Sequence, residues 1–179
     1  MSLDLPALLG ERVCDVADFP TPGVRFKDIN PLLADHVAFA GAVDAIVAHH
    51  GRGTVDKVVG IEARGFILAA AVAYHAGAGF VPVRKKGKLP GATLEATYDL
   101  EYGSATLQVQ VGALQAGERV LVVDDVLATG GTAGAALGLI ARAGAVAVGV
   151  SVLIELPALG GPDRLAAAGG PPLHALLRQ

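Results

Sequence analysis

Residues 120–133 read VLVVDDVLATGGTA, an apolar run that ends in two adjacent aspartates and a loop of small and hydroxyl-bearing residues. Adjacent carboxylates repel each other, so Asp124 and Asp125 at the end of a buried strand need a partner that the chain alone does not supply. Ala128, Thr129, Gly130, Gly131 and Thr132 set two hydroxyls and closely spaced backbone N–H groups ahead of a helical stretch, an arrangement that holds a phosphate. The two acids would repel that phosphate. They suit the hydroxyls of a sugar, or a magnesium ion, and a phosphorylated ribose combines both needs. An aspartate N-cap is the ordinary alternative, but capping needs neither a second carboxylate nor the Thr-Gly-Gly-Thr that follows. The chain has no G-x-x-x-x-G-K-[ST] and no G-x-G-x-x-G, so the P-loop and dinucleotide readings drop out.

Two strand-helix-strand units would position these residues. The first runs KVVGI, EARG, FILAAAVAYHAG, FVPV; the second runs ERVLVVDD, VLATGGT, AGAALGLIARAG, AVAVGVSVLIEL. Near-continuous apolar strands between helices predict an α/β fold with a parallel sheet covered on both faces. Gly144 sits where a helix ends, and AFAGAVDAIVAHH predicts a further helix from about Ala38 to His50. Ligands of open parallel sheets bind beyond the carboxyl ends of the strands, so GIEARG and VVDDVLATGGT should open into one crevice. Between the units, KKGKLPGATLEATYDLEYGSATLQVQ is a long polar excursion whose end, ATLQVQV, alternates as a hairpin strand would. The tail, from PALGGPDRL onward, reads as a loop, a short helix and a weakly structured end. No linker divides the chain, which is expected to be one domain over residues 1–179.

Composition narrows the function. Hydrophobic residues make up 53% of the chain, yet no apolar run approaches the roughly 18–20 residues of a membrane span, so no membrane is expected as a partner. The formal charge of −3 argues against a broad nucleic-acid face, and any anion must be held locally. MSLDLPALLGERV lacks the pattern of a signal peptide, which makes a cytoplasmic location the expectation. Cys14, the single cysteine, is assigned no role. The five histidines show no metal-ligand spacing with Cys or with one another, and they read as structural or surface groups; His49 and His50 close a helix whose C-terminal dipole favours positive charge.

VLVVDDVLATGGTA also resembles the phosphoribosyl-pyrophosphate (PRPP) signature of the type I phosphoribosyltransferases. The resemblance extends through FPTPGVRFKDINPLL, GIEARGF, VPVRKKGKLPG and YDLEYG, in the order and approximate spacing of the adenine-specific members, and covers nearly the whole chain except about the last twenty residues. It implies the type I phosphoribosyltransferase fold: a twisted, mainly parallel sheet flanked by helices, a base-binding hood at about 1–35 and a flexible catalytic loop at about 90–110. It implies that Asp124 and Asp125 bind the ribose hydroxyls and that Ala128, Thr129, Gly130, Gly131 and Thr132 cradle the 5′-phosphate. Glu62, Ala63, Arg64 and Gly65 would face the pyrophosphate, with Arg64 as a donor. Arg84, Lys85 and Lys88 would add positive charge there, across a dimer interface as in the family; a solvated charge run is the plainer alternative.

In the hood, the resemblance implies that Phe26 stacks on a purine while backbone groups of Val24 and the neighbourhood of Lys27 read its Watson–Crick edge; Phe26 as plain core is the rival. Many relatives carry a small apolar residue where this chain has Arg25. Glu101 would hydrogen-bond the N7 region of the base and Tyr102 would help exclude water, whereas the ordinary reading is two exposed loop residues. The implied reaction is adenine plus PRPP giving AMP plus pyrophosphate in purine salvage. Mg²⁺ would be held mainly by PRPP rather than by a protein site, and the enzyme would be a homodimer. A phosphoribosyltransferase for another purine and a PRPP-binding transcriptional regulator remain open, although nothing in the chain looks like a DNA-binding module.

Overall fold

A computed structural model of the chain describes residues 4–99 and 103–179. Asp4 opens α1 (Leu5–Glu11) by accepting a hydrogen bond from Ala7 N. A two-stranded antiparallel ribbon follows, β1 (Cys14–Ala17) against β2 (Arg25–Asp28), with FPTPG between them. Two prolines restrict that turn, and Asp18 closes it by accepting from Gly23 N at 2.7 Å. Next come α2 (Asn30–Ala34) and α3 (His36–His50). The latter begins two residues before the expected Ala38 because Asp35 caps it, accepting from Val37 N at 3.0 Å and Ala38 N at 3.2 Å. Such a cap is worth about 1 kcal/mol.

The two predicted units are β3 (Lys57–Ile61), α4 (Gly65–Ala76), β4 (Gly79–Lys85), and, after a hairpin of β5 (Thr93–Asp99) and β6 (Ser104–Gln110), β7 (Arg119–Leu127), α5 (Gly131–Arg142), β8 (Val146–Glu155). A 3-10 turn, α6 (Gly161–Ala167) and β9 (Leu173–Arg178) complete the chain. The seven-stranded sheet has the order β5-β6-β4-β3-β7-β8-β9. All its pairings from β4 to β9 are parallel, and only the β5–β6 hairpin and its contact with β4 are antiparallel. The mainly parallel α/β architecture is therefore as predicted.

Two expectations are corrected. Most of 90–110 is not a loop: ATLQVQV forms the expected hairpin strand as β6, which buries Leu107 and Val109, and alternation in TLEATYD turns Leu94, Ala96 and Tyr98 of its partner β5 onto the core beside α5. Nor is the C-terminal end weakly structured, because LHALLR pairs in parallel with β8, Val150 opposite Leu173 through Glu155 opposite Arg178.

The continuous apolar run of β7 has a plain cause. Leu121 and Val123 pack under α1, α3 and α4, while Val120 and Val122 pack under α5 and the β5–β6 hairpin. A strand buried on both faces cannot alternate with polar residues. Burying each such side chain contributes about 1.5–3 kcal/mol, which holds the strand rigid up to the acids at its end. Among the described residues no helix is long and apolar enough to cross a membrane.

Candidate active site

The carboxyl ends of β3 and β7 and the ribbon strand β2 border one cleft of about 450 Å³, with Phe26, Glu62, Arg64, Lys85, Asp124, Asp125 and Thr132 on its walls. The two polar loops thus meet as the sheet rule requires.

Consecutive strand residues point to opposite faces, so the acids differ. Asp124 Oδ1 accepts from Asp125 N at 2.9 Å. The start of α4 presses on it: a Cβ at position 65 would strike Asp124 Oδ1 and lie 3.2 Å from Asp124 Cα, so only glycine fits there. Burial first, and then the charge of Asp125, push the Asp124 carboxyl well above the usual carboxylate range. Asp125 is 6% exposed. Arg64 Nε lies 2.6 Å from its Oδ2, an ion pair whose angle is too poor for a hydrogen bond, and among the described residues that oxygen has no hydrogen-bond partner.

Beyond the acids, Val126 and Leu127 still belong to β7, and the loop proper is Ala128–Gly130. Gly130 (φ 79) precedes α5 with no side-chain cap, so no side chain caps the N–H groups of the first turn, at the positive end of the helix dipole. The loop is held from behind by backbone alone. A Cβ on Gly130 would lie 2.9 Å from Gly161 O, and one on Gly161 would collide with Ala128 O. A small cavity of about 80 Å³ sits in this loop, with Asp124, Thr129 and Thr132 on its wall.

The opposite wall is organised by Glu62. Its carboxylate, 8% exposed, accepts from Arg84 Nη2 at 3.2 Å, Arg84 Nε at 3.3 Å, Lys88 Nζ at 2.8 Å and Lys85 N at 3.1 Å. Burial alone would raise its pKa; the hydrogen bonds from Lys88, Arg84 and the Lys85 N–H outweigh that and hold it at about 2. Arg84 and Lys88 are therefore not a free charge run, whereas Lys86 turns away to Glu95 at 2.9 Å. The Glu62–Ala63 peptide is cis.

Arg64 is engaged differently from the expectation that it faces pyrophosphate. Besides Asp125 it donates from Nη1 to Lys27 O at 2.9 Å, and its guanidinium lies 4.4 Å over the Phe26 ring, so it ties the acids of β7 to the ribbon. Phe19 meets Phe26 edge-on at 4.9 Å. Lys27 Nζ is paired with Asp15 at 2.7 Å, which leaves only its backbone for a ligand. Val24 departs from its expected role: its N–H is spent on Thr21 O at 3.3 Å and its carbonyl accepts from Phe19 N at 3.4 Å, both inside the turn. Because Lys27 O points away from β1, the alternation of antiparallel pairing directs the backbone of Arg25 to the same open edge. Glu101 and Tyr102 lie outside the described residues.

Three residues near the cleft lie outside the sequence-based expectations. Tyr98 borders the cleft and was signalled only by its place in YDLEYG. The Arg25 backbone follows from a period of two counted back from Lys27. Gly161, in the GGPD of the tail, had no local signal.

This geometry defines a class. A phosphoribosyl transferase domain model matches residues 31–168. The chain is 64% identical over 165 residues to the adenine phosphoribosyltransferase of Acidothermus cellulolyticus, covering 92% of this chain and 93% of the relative. The crystal structure of adenine phosphoribosyltransferase from Rhodothermus marinus superposes with a TM-score of 0.93 at 47% identity, covering 98% of each chain. That of the Saccharomyces cerevisiae enzyme, complexed with adenine and an imino-altritol bisphosphate, gives 0.89 at 36% identity, covering 96% of this chain and 98% of the other. The chain belongs to the phosphoribosyltransferase family, in its adenine phosphoribosyltransferase branch.

Proposed function

We propose that the protein transfers the 5-phosphoribosyl group of PRPP to N9 of adenine, releasing AMP and pyrophosphate. The observation that carries this reading is the pair Asp124 and Asp125 on the wall of the cleft beside a helix N-terminus that no side chain caps. In this reading a ribose diol donates to these carboxylates, and its 5′-phosphate takes the N–H groups of Ala128–Thr132.

Cleavage of the C1′–O bond builds positive charge on the ribose, as in the oxocarbenium-like states of glycoside hydrolysis. In this reading Asp125 lies under that ring, where its negative charge stabilises the developing cation, and Asp124 accepts from a ribose hydroxyl beside it. The leaving pyrophosphate gains negative charge on the side of Lys85, Arg84 and Lys88, which Glu62 holds in place before substrate arrives. Mg²⁺ would come in on PRPP and neutralise part of the same charge. The oxygen donors of Asp124 and Asp125 suit such a hard ion, but their first task in this reading is the ribose hydroxyls.

Adenine would lie at the ribbon against Phe26, its N6 amino group donating to Arg25 O and its N1 accepting from Lys27 N. Backbone readout makes the Arg25 side chain compatible with adenine. Arg64 positions this edge by holding Lys27 O and the Phe26 ring while it pairs with Asp125. Glu101 would hydrogen-bond the N7 side of the base, and Tyr102 would help shut out water. The homodimer is supported by exposed Ile67, Tyr74 and Phe80 on neighbouring elements. The cytoplasmic location follows from substrates whose phosphates keep them inside the cell.

The test is a mixture of protein, PRPP, Mg²⁺ and equimolar adenine, hypoxanthine, guanine and xanthine. AMP with equimolar pyrophosphate is expected. A different nucleotide would overturn the base assignment, and no product at all would overturn the activity.

A further inference from the structure

His49 and His50 end α3, and His174 lies far along the chain in β9, yet one ring nitrogen from each falls within 4.8 Å of the others. The register explains the meeting. His174 stands opposite Ser151 on β8, and His50 reaches the same Ser151 from the helix above, Nε2 to Oγ at 2.7 Å. Gly149 makes room for it, since a Cβ there would lie 2.6 Å from His50 Cε1. The His49 and His174 rings stack at 3.8 Å and 4°. None of the three borders the catalytic cleft.

Two further observations point to a ligand. His174 Nδ1 is buried and has no hydrogen-bond partner among the described residues, a vacancy that native structures normally fill. The trio also sits at the C-terminal end of a 15-residue helix, where the dipole favours a cation.

We infer that His49, His50 and His174 form a site for one imidazole-preferring divalent transition metal, of which Zn²⁺ is the representative, pinning the edge strand β9 to the end of α3. Zn–N bonds of about 2.0–2.1 Å in a tetrahedron put the nitrogens roughly 3.4 Å apart, so the stacked rings must splay and close around the ion. Exposed His49 has the freedom to do so. Ser151 fixes the orientation of the His50 ring by its contact with Nε2, and a polar partner beside an imidazole is the usual device that orients such a ring for a metal. Solvent would complete the coordination.

Metal-stripped full-length protein, in excess Mg²⁺ to occupy oxygen-donor sites, would be titrated with Zn²⁺ by calorimetry and followed by thermal melts. One Zn²⁺ per chain, a Tm that rises with Zn²⁺, and binding weakened about tenfold or more by His49→Ala and by His174→Gln are expected. His49 is exposed, so its replacement leaves the fold and the zinc-free melt unchanged. Co²⁺ should give the visible absorption of a tetrahedral nitrogen site, lost in the same variants. Absence of saturable binding at one per chain, or binding equal to the unmodified protein in the His49→Ala, His174→Gln double variant, would overturn the site.

Discussion

The turn from β3 into α4 and the loop from β7 into α5 leave neighbouring parallel strands at the same edge of the sheet, yet they handle charge by opposite means. At the first, side chains do the holding: Glu62 gathers Arg84, Lys88 and the Lys85 N–H, while Arg64 spans Asp125, Phe26 and Lys27 O. At the second, the donors are backbone N–H groups, shaped by the packing of Gly130 against Gly161. Side-chain charge responds to pH and salt and can be altered by one conservative substitution. Backbone donors do not titrate, but they tolerate no added Cβ.

The largest effect should come from the acid that joins the two. Asp125→Ala removes the partner of Arg64 and, on the proposed reading, the acceptor for a ribose hydroxyl, and kcat/KM for PRPP should fall about 10²–10³-fold, or about 3–4 kcal/mol. Circular dichroism should show an intact fold, and a near-normal rate would remove Asp125 from the site. Gly130→Ala comes next. A side chain at φ 79 against Gly161 O costs about 2 kcal/mol, which for this length lowers Tm by roughly 4–8 °C, and the KM for PRPP should rise about tenfold. Gly161→Ala, which touches no substrate in this reading, should reproduce that KM effect through the loop; an unchanged KM would separate the two glycines.

Glu62→Gln tests the side-chain wall. It loosens Arg84 and Lys88 without removing either, so the KM for PRPP should rise about threefold to tenfold and become more dependent on salt, with kcat affected less. The smallest effect is on acid stability. The folded pKa of Glu62, about 2, lies below the ordinary glutamate value of about 4.3, so its contribution is complete above about pH 4.3 and is lost as pH falls through about 2. Melts between pH 5 and 2 should therefore drop less steeply for Glu62→Gln than for the unmodified chain, while Gly130→Ala should lower the curve without changing its slope.

Much of this was legible locally. The βαβ units followed from apolar runs of the right length, and VVDDVLATGGT announced both its strand and its helix because each residue there answers a local need. Arg64 was readable as a site residue but not as a bridge, since its partners Lys27 and Asp125 are far from it in sequence. The alternation of ATLQVQV announced β6, but its partner β5 was hidden by the polar composition of TLEATYD, and β9 by having no pattern of its own. An edge strand such as LHALLR is made by the neighbour that pairs with it. The three histidines were dismissed for lack of spacing, and only the register of β9 against β8 brings them together.

By itself the sequence determined the strands and helices of the two βαβ units, and the small-residue loop that ends at a helix N-terminus, because those properties depend on neighbours within a few residues. Tertiary structure decided the direction in which Arg64 is spent, the anchoring of the basic wall on Glu62, the bracing of Gly130 by Gly161 and the pairing of the last strand. Each of these joins groups distant along the chain, and their contact exists only once the sheet has set its strand order and register.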